Sequence, residues 1–191
     1  MGLLEPDAGY RIGDGRPFVT PAPALRALQS ADEVDPSALR DLLLPYFQWI
    51  AAELETNSDL RIDPDETVTG ILSDLEKFAP PKGCIILADQ GGVLTGCIFL
   101  RRIRESAGEV KSLYVRPEAR THGLGGKLLA HLISEARAVG IDHLFLDTAG
   151  FMKDAIRFYE KAGFVEIDRY PENANPPEFA SILRYMELRL T

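Results

Sequence analysis

The residues Val115-Arg116-Pro117-Glu118-Ala119-Arg120-Thr121-His122-Gly123-Leu124-Gly125-Gly126-Lys127 form a loop built to hold an anion. A strand-like run ends at Val115, a proline turn follows, and a glycine-rich stretch opens a helical pattern. Small residues let main-chain N–H groups approach a phosphate, and the start of the helix adds partial positive charge there. Two residues outside the loop have the right types for proton transfer. The Glu109 carboxylate precedes it, and the Tyr159 phenol lies on a later helical segment. A carboxylate can take a proton from an ammonium group. A phenol of pKa about 10 can return one to a departing group of similar basicity.

Two common phosphate loops fail on this stretch. A Walker loop requires glycine five residues before Gly126-Lys127, where Thr121 stands, and a hydroxyl where Leu128 stands. A dinucleotide fingerprint begins with Gly123 and Gly125 but again meets Leu128 at its third glycine. Asp147 lies near the distance at which the ribose-binding acid would fall, but an antiparallel hairpin, not a βαβ unit, precedes the loop.

The elements that must position these groups follow from periodicity and caps. Leu25 to Leu28 reads as a first short strand. Asp35-Pro36 and Asp63-Pro64 each start a helix, with the aspartate as N-cap and proline at the first helical position. Leu39, Leu42, Leu43, Tyr46, Phe47, Ile50 and Leu54 form the apolar stripe of the first helix, in which Pro45 predicts a kink or a break. Cys84 to Ala88 and Val93 to Leu100 read as a hairpin turning at Gln90-Gly91-Gly92. Glu109 to Val115 reads as a central strand on which Glu109, Lys111, Leu113 and Val115 alternate onto one face. A helix over Gly123 to Val139, a strand over Ile141 to Thr148 and a helix over Phe151 to Ala162 come next. The strands Phe164 to Asp168 and Ile182 to Leu190 close the chain, separated by a proline-rich loop from Tyr170 to Pro177. The order predicts one mixed α/β sheet with helices on both faces.

Composition narrows the function classes. The chain has 191 residues, 46% of them hydrophobic, which suits one domain with a core of its own. A net charge of −8 argues against nucleic acid as the main partner. Cys84 and Cys97 sit in apolar runs and read as buried free thiols. The three histidines are scattered and give no metal-ligand spacing. No apolar stretch approaches a membrane span and no signal-peptide pattern opens the chain, so the reading is cytoplasmic. Residues 1–23 carry glycine, proline and charges without periodicity and read as an arm with freedom to flex. The basic run Arg101, Arg102 and Arg104 reads as a solvated strand end.

The surviving pattern is Arg120, Gly123 and Gly125 in the spacing Arg/Gln-x-x-Gly-x-Gly/Ala. It is preceded by Glu109-Val110-Lys111-Ser112-Leu113-Tyr114-Val115-Arg116-Pro117 and followed by Leu146-Asp147-Thr148 and by Ala155 to Phe164. It closes on Tyr185-Met186-Glu187-Leu188. These segments resemble motif A, the fourth and fifth strands, motif B and the last strand of the GNAT superfamily of acyl-CoA-dependent N-acetyltransferases. The resemblance implies a mostly antiparallel mixed sheet over residues 24–191, splayed between its fourth and fifth strands. It implies acetyl-CoA as acyl donor and no metal. By the same resemblance, the coenzyme diphosphate would sit on main-chain amides of His122, Gly123, Leu124, Gly125, Gly126 and Lys127, with Arg120 and Lys127 adding charge. The pantetheine arm would pair with Leu113, Tyr114 and Val115. Tyr159 would reach the cofactor sulfur as general acid. Glu109 is the candidate general base and Asp147 its rival. Tyr46, Trp49, Tyr170, Asn173 and Asp147 would wall the acceptor cleft. One departure stands out: Met152 occupies the position where many members carry asparagine.

The resulting reading is an N-acetyltransferase moving acetyl from acetyl-CoA to a primary amine of a small molecule or amino acid by direct attack. The alternative is a non-catalytic acyl-CoA sensor or interaction module using the same cradle. The expected partners are a small amine, with no nucleic acid and no membrane, and with room for a homodimer.

Overall fold

In a computed structural model of the chain, residues 22–120 and 123–190 are described. The N-terminal arm predicted over residues 1–23 therefore lies almost wholly outside the described residues. Seven strands form one sheet in the order β1-β2-β3-β4-β5-β7-β6. They are β1 (Ala24–Ala27), β2 (Gly83–Gln90), β3 (Val93–Arg104), β4 (Ala107–Val115), β5 (His143–Ala149), β6 (Val165–Ile167) and β7 (Leu183–Arg189). All neighbours are antiparallel except β4 and β5. The helices are α1 (Pro36–Asn57), α2 (Pro64–Ser73), α3 (Leu124–Ala138) and α4 (Lys153–Lys161).

The capped starts are present. The Asp35 carboxylate accepts from the amides of Ser37 at 2.9 Å and Ala38 at 3.3 Å, and Asp63 accepts from Glu66 at 3.0 Å. Each satisfies N–H groups that the first turn leaves unpaired. Gly91 and Gly92, both at positive φ, turn the β2–β3 hairpin. Such φ values match the right-handed strand twist and cost a residue with Cβ strain.

Each sheet face carries its own core. Leu128, Leu132 and Ala136 of α3 pack with Ile86, Ile98, Val110 and Leu144 on one face, where Tyr159 and Phe164 join them. Leu39, Leu42, Leu43 of α1 and Val68 of α2 pack with Ile85, Leu87, Cys97, Phe99 and Tyr114 on the other. Cys84 and Cys97 thus belong to opposite faces, and both are free and buried. Burial pushes each thiol up to about 12.

Three expectations need correction. First, of the kink or break expected at Pro45 the break is absent, and α1 continues through it as one helix. Proline lacks the N–H that would bond to Asp41 O. The Arg116 guanidinium fills that place, donating to Asp41 O at 3.0 Å and to Leu94 O at 2.9 Å. Second, β4 does not alternate evenly. Ser112 sits at φ 51, and the β3–β4 register shifts between Cys97 and Phe99. This bulge reverses the parity of the strand beyond it. Val110, Leu113 and Val115 consequently meet the α3 core, while Tyr114 turns to the α1 core. Leu113 and Val115 do not share a face with Glu109 and Lys111. Third, Arg101 is no solvated strand end. It is half-buried and bonded to Glu109.

The α3 core governs where the glycine loop sits, so its packing is testable. Leu128 is fully buried and contacts the space beside Gly96 of β3. Leu128→Ala is expected to lower unfolding free energy by about 2–5 kcal/mol in urea titrations. A loss near zero would show that α3 is not anchored there.

Candidate active site

The ladder between β4 and β5 covers only Ala107–His143, Gly108–Leu144 and Glu109–Phe145. Beyond those pairs the two strands part, and an open cleft of about 1180 Å³ lies at the fork. Leu113, Tyr114 and Val115 line it from β4. Gly123, Gly125 and Gly126 line it from the start of α3, and Arg120 from the turn before. Ala155, Phe158 and Tyr159 line it from α4, and Pro45, Tyr46 and Trp49 from α1.

The start of α3 fits an anionic group. Gly123 caps the helix at φ 67 and ψ 31, a left-handed conformation that favours glycine. The main-chain N–H groups of the next turn have no partners within the helix. A Cβ placed on Gly126 would meet nothing within 4 Å, so open space faces those donors. No acidic residue stands in the first turn of α3. The Leu124 side chain is buried in the core, and Lys127 is exposed and outside the cleft lining; only their amides belong to the cradle. Arg120 donates to Val115 O at 3.1 Å, which ties the loop to the end of β4. His122 lies outside the described residues.

Tyr159 is nine-tenths buried in the cleft wall, edge-on to Phe158 and Phe164. Burial, with a smaller push from Tyr46 and Asp147, raises its phenol above the ordinary range. It is protonated throughout the neutral range. Opposite stands an aromatic wall. Tyr46 stacks on Tyr114 at 4.8 Å between ring centroids and on Trp49 at 6.4 Å, and Trp49 meets Phe151 edge-on at 6.5 Å. Met152 lines the cleft ahead of α4 and receives a contact from the Thr148 hydroxyl at 3.6 Å.

Glu109 is fully buried and does not line the cleft. Its Oε2 accepts from Arg101 at 2.6 and 3.1 Å, and its Oε1 accepts from the Tyr170 hydroxyl at 2.5 Å and pairs with Lys111 at 3.2 Å. Lys111 Nζ also reaches Asp147 Oδ2 at 2.6 Å. Asn173 Nδ2 donates to that same oxygen at 2.9 Å and to the Tyr170 hydroxyl at 3.1 Å. Lys111, Glu109, Tyr170, Asn173 and Asp147 thus close a ring of polar contacts at the fork. Tyr170 and Asn173 are buried within this ring, and neither they nor Asp147 line the cleft as the sequence reading expected.

Several roles here were not assigned from the sequence. Phe151 and Arg157 line the cleft, Lys111 bridges the fork, and Arg116 supports α1. Phe151 lies three residues after Thr148 of the fifth-strand motif and could have been found as the aromatic opposite Trp49. The Ser112 bulge carried no compositional signal.

The comparisons agree with this geometry. A family model described as the acetyltransferase (GNAT) family matches residues 37–164. An IAA acetyltransferase from Azospirillum brasilense is 35% identical over 112 residues, which is 58% of this chain and 72% of that one. A GNAT-family acetyltransferase from Staphylococcus aureus Mu50 has the same fold, with a TM-score of 0.68 at 22% identity over 88% of this chain and all of the other. The PaiA N-acetyltransferase of Thermoplasma acidophilum, solved in complex with coenzyme A, gives a TM-score of 0.62 at 19% identity over 87% of this chain and 99% of that one. The chain belongs to the GNAT family and is an acyltransferase.

The cradle yields a prediction that separates folding from binding. Gly126→Asp places a carboxylate at the start of α3, where open space accepts it and the helix dipole favours it. Thermal stability is expected to hold or rise. Coenzyme A affinity, measured by calorimetry, is expected to fall about tenfold or more, because 1.4 kcal/mol of repulsion suffices for that. Unchanged affinity would move the diphosphate elsewhere.

Proposed function

We propose that the enzyme transfers acetyl from acetyl-CoA to the primary amine of a small molecule or amino acid by direct attack. The observation that carries this reading is the single cleft that joins the α3 amides, the open β4 edge and the Tyr159 phenol. The coenzyme supplies the acetyl thioester. The α3 amides bind the diphosphate, and Arg120 adds charge beside it. The unpaired edge of β4 at Leu113 to Val115 receives the extended arm as an added strand. An amide at Leu113 or Tyr114 serves as donor to the developing oxyanion. The rate comes from this positioning more than from side-chain chemistry.

Tyr159 acts as the general acid. Burial keeps the phenol protonated at neutral pH but also weakens it as a donor, so its proton passes only as full negative charge develops on the departing sulfur beside it. Tyr46, Trp49 and Phe151 form an aromatic wall of limited reach, which suits a small acceptor better than a long peptide. Glu109 enters this reading as the buried charge that fixes Lys111 and Tyr170. Both its oxygens are already engaged, which leaves it poorly placed to take a proton from an amine in the cleft.

Thiol release from acetyl-CoA against a panel of amines, amino acids and peptides tests the reading. Turnover with small primary amines is expected. Turnover with peptides alone, or coenzyme binding without turnover, would overturn it. Tyr159→Phe is expected to lower kcat about 100-fold or more, the usual contribution of a positioned acid. Because burial raises the phenol pKa, the acid form persists as pH rises, and activity is lost only when the phenol ionises. The wild-type kcat profile should therefore show no alkaline loss from this group below about pH 10. A loss at lower pH that disappears in Tyr159→Phe would contradict the assignment.

A further inference from the structure

The two carboxylates at the fork differ in what their oxygens do. Glu109 is fully buried, and both its oxygens are committed to Arg101, Lys111 and Tyr170. Asp147 is held by one oxygen only. Lys111 Nζ and Asn173 Nδ2 both bond to Oδ2, at 2.6 and 2.9 Å. Oδ1 has no hydrogen-bond partner among the described residues and is not sealed from solvent. Its strand position fits the chemistry. Glu109–Phe145 is the last β4–β5 pair, and Lys111 and Asp147 are the next same-face residues on the two strands. The Lys111–Asp147 bridge therefore spans the fork just where it opens.

Resting on the acetyl-transfer reading above, we infer that Asp147 Oδ1 is the acceptor-side catalytic carboxylate, anchoring the substrate ammonium and taking its proton, with Lys111 as its positioning residue. The acceptor it selects is a cationic primary amine. In the step, an N–H proton passes from the ammonium nitrogen to Asp147 Oδ1. The freed lone pair forms the C–N bond to the acetyl carbon as the carbonyl pair moves onto oxygen; that pair returns, the C–S bond breaks with its electrons on sulfur, and the Tyr159 hydroxyl gives its proton to the departing sulfur. The second N–H proton leaves the new amide nitrogen to water, the tyrosinate takes a proton back from water and Asp147 releases its own, so that ammonium and thioester become amide, thiol and one proton. The charged and titratable groups around Asp147 are consistent with this role. Lys111 faces it from β4 with Glu109 behind, Tyr185 pairs with it in register from β7, and Tyr170 lies in the following loop. Its charge also reaches the phenols of Tyr46 on α1 and Tyr159 on α4, the two sides of the cleft. Lys111 neutralises the resting carboxylate without covering Oδ1, and Asn173 fixes the plane of the group.

Asp147→Asn keeps the shape and removes the charge. For an alkylamine that is protonated at the assay pH, kcat/KM is expected to fall about 100-fold, the usual scale of a positioned base. Coenzyme A affinity by calorimetry should change less than about threefold, since the diphosphate cradle is untouched. The decisive readout is a weakly basic amine that is already neutral at the assay pH. It needs no proton acceptor, so the defect of Asp147→Asn should shrink to about threefold or less. A structural role would impair both acceptors equally, and that result would overturn the assignment. So would a wild-type rate in Asp147→Asn, or a dependence on amine ionisation that vanishes in Glu109→Gln instead. If Asp147→Asn does not fold, Asp147→Glu serves: it should retain the wild-type dependence on amine ionisation at reduced rate, and loss of that dependence would count against the assignment. Wild-type enzyme that binds coenzyme A yet acetylates no amine would bring down the amine reading itself, and the assignment with it. Turnover that is indifferent to Asp147 brings down the assignment alone.

Discussion

After Glu109–Phe145, β4 and β5 continue side by side without a ladder, and that gap is the constraint around which the molecule is arranged. Strand edges that face each other unpaired leave main-chain donors and acceptors to be satisfied by something else. Here both strands are secured on their outer sides, β4 by β3 and β5 by β7, so the gap can persist without loosening the sheet. The bulge at Ser112 belongs to the same device. By turning Tyr114 toward α1 and Leu113 and Val115 toward α3, it gives the far half of β4 a different facing from the near half. The near half meets the polar ring, and the far half meets the cleft. A residue at positive φ is costly unless its surroundings fix it. Part of that fixing is visible in the Cys97 thiol, which donates to Ser112 O at 3.2 Å.

Opening a sheet also requires walls that do not collapse into the opening. α1 supplies one wall although Pro45 interrupts its hydrogen bonding at the cleft. The Arg116 side chain, from the residue following β4, restores a donor to the orphaned carbonyl and bonds at the same time to β3. The helix and the fork are therefore referenced to one another through a single guanidinium, whose planar set of donors suits two carbonyls at once. The Tyr46–Tyr114 stack then joins α1 to the far half of β4 through apolar surface.

Much of this was legible in the chain. The aspartate–proline starts of α1 and α2 announce themselves locally, because a cap is made by neighbours within a few residues. The same holds for the glycine loop, whose turn into α3 is made by Gly123 at the helix start and whose proposed role needs only main-chain amides and small residues. What could not be read depends on distant partners. Glu109 read as a candidate base because Tyr170, 61 positions away, is what closes over it. Arg101 looked like a strand end for the same reason. Even alternation along β4 was the natural expectation, since Ser112 has no property that marks it for a left-handed backbone. Its conformation is imposed by the β3–β4 register rather than by its own preference.

The charge distribution completes the physical picture. At a net charge of −8 the chain as a whole repels an anionic ligand. In the proposed cradle the α3 start would offset this with fixed backbone dipoles, which do not depend on net charge and need no reorganisation. Side-chain cations at the cleft are few and partly countered: Arg157 pairs with Asp154, and Glu118 lines the same rim as Arg120. Inside the fork the accounting is tighter still. Arg101 and Lys111 balance Glu109 and Asp147 in a region where an unpaired charge would be heavily penalised. Such a balanced ring resists drift, because moving any member strands another. It therefore fixes the width of the fork, and Asp147 Oδ1 is the one carboxylate oxygen left outside the ring.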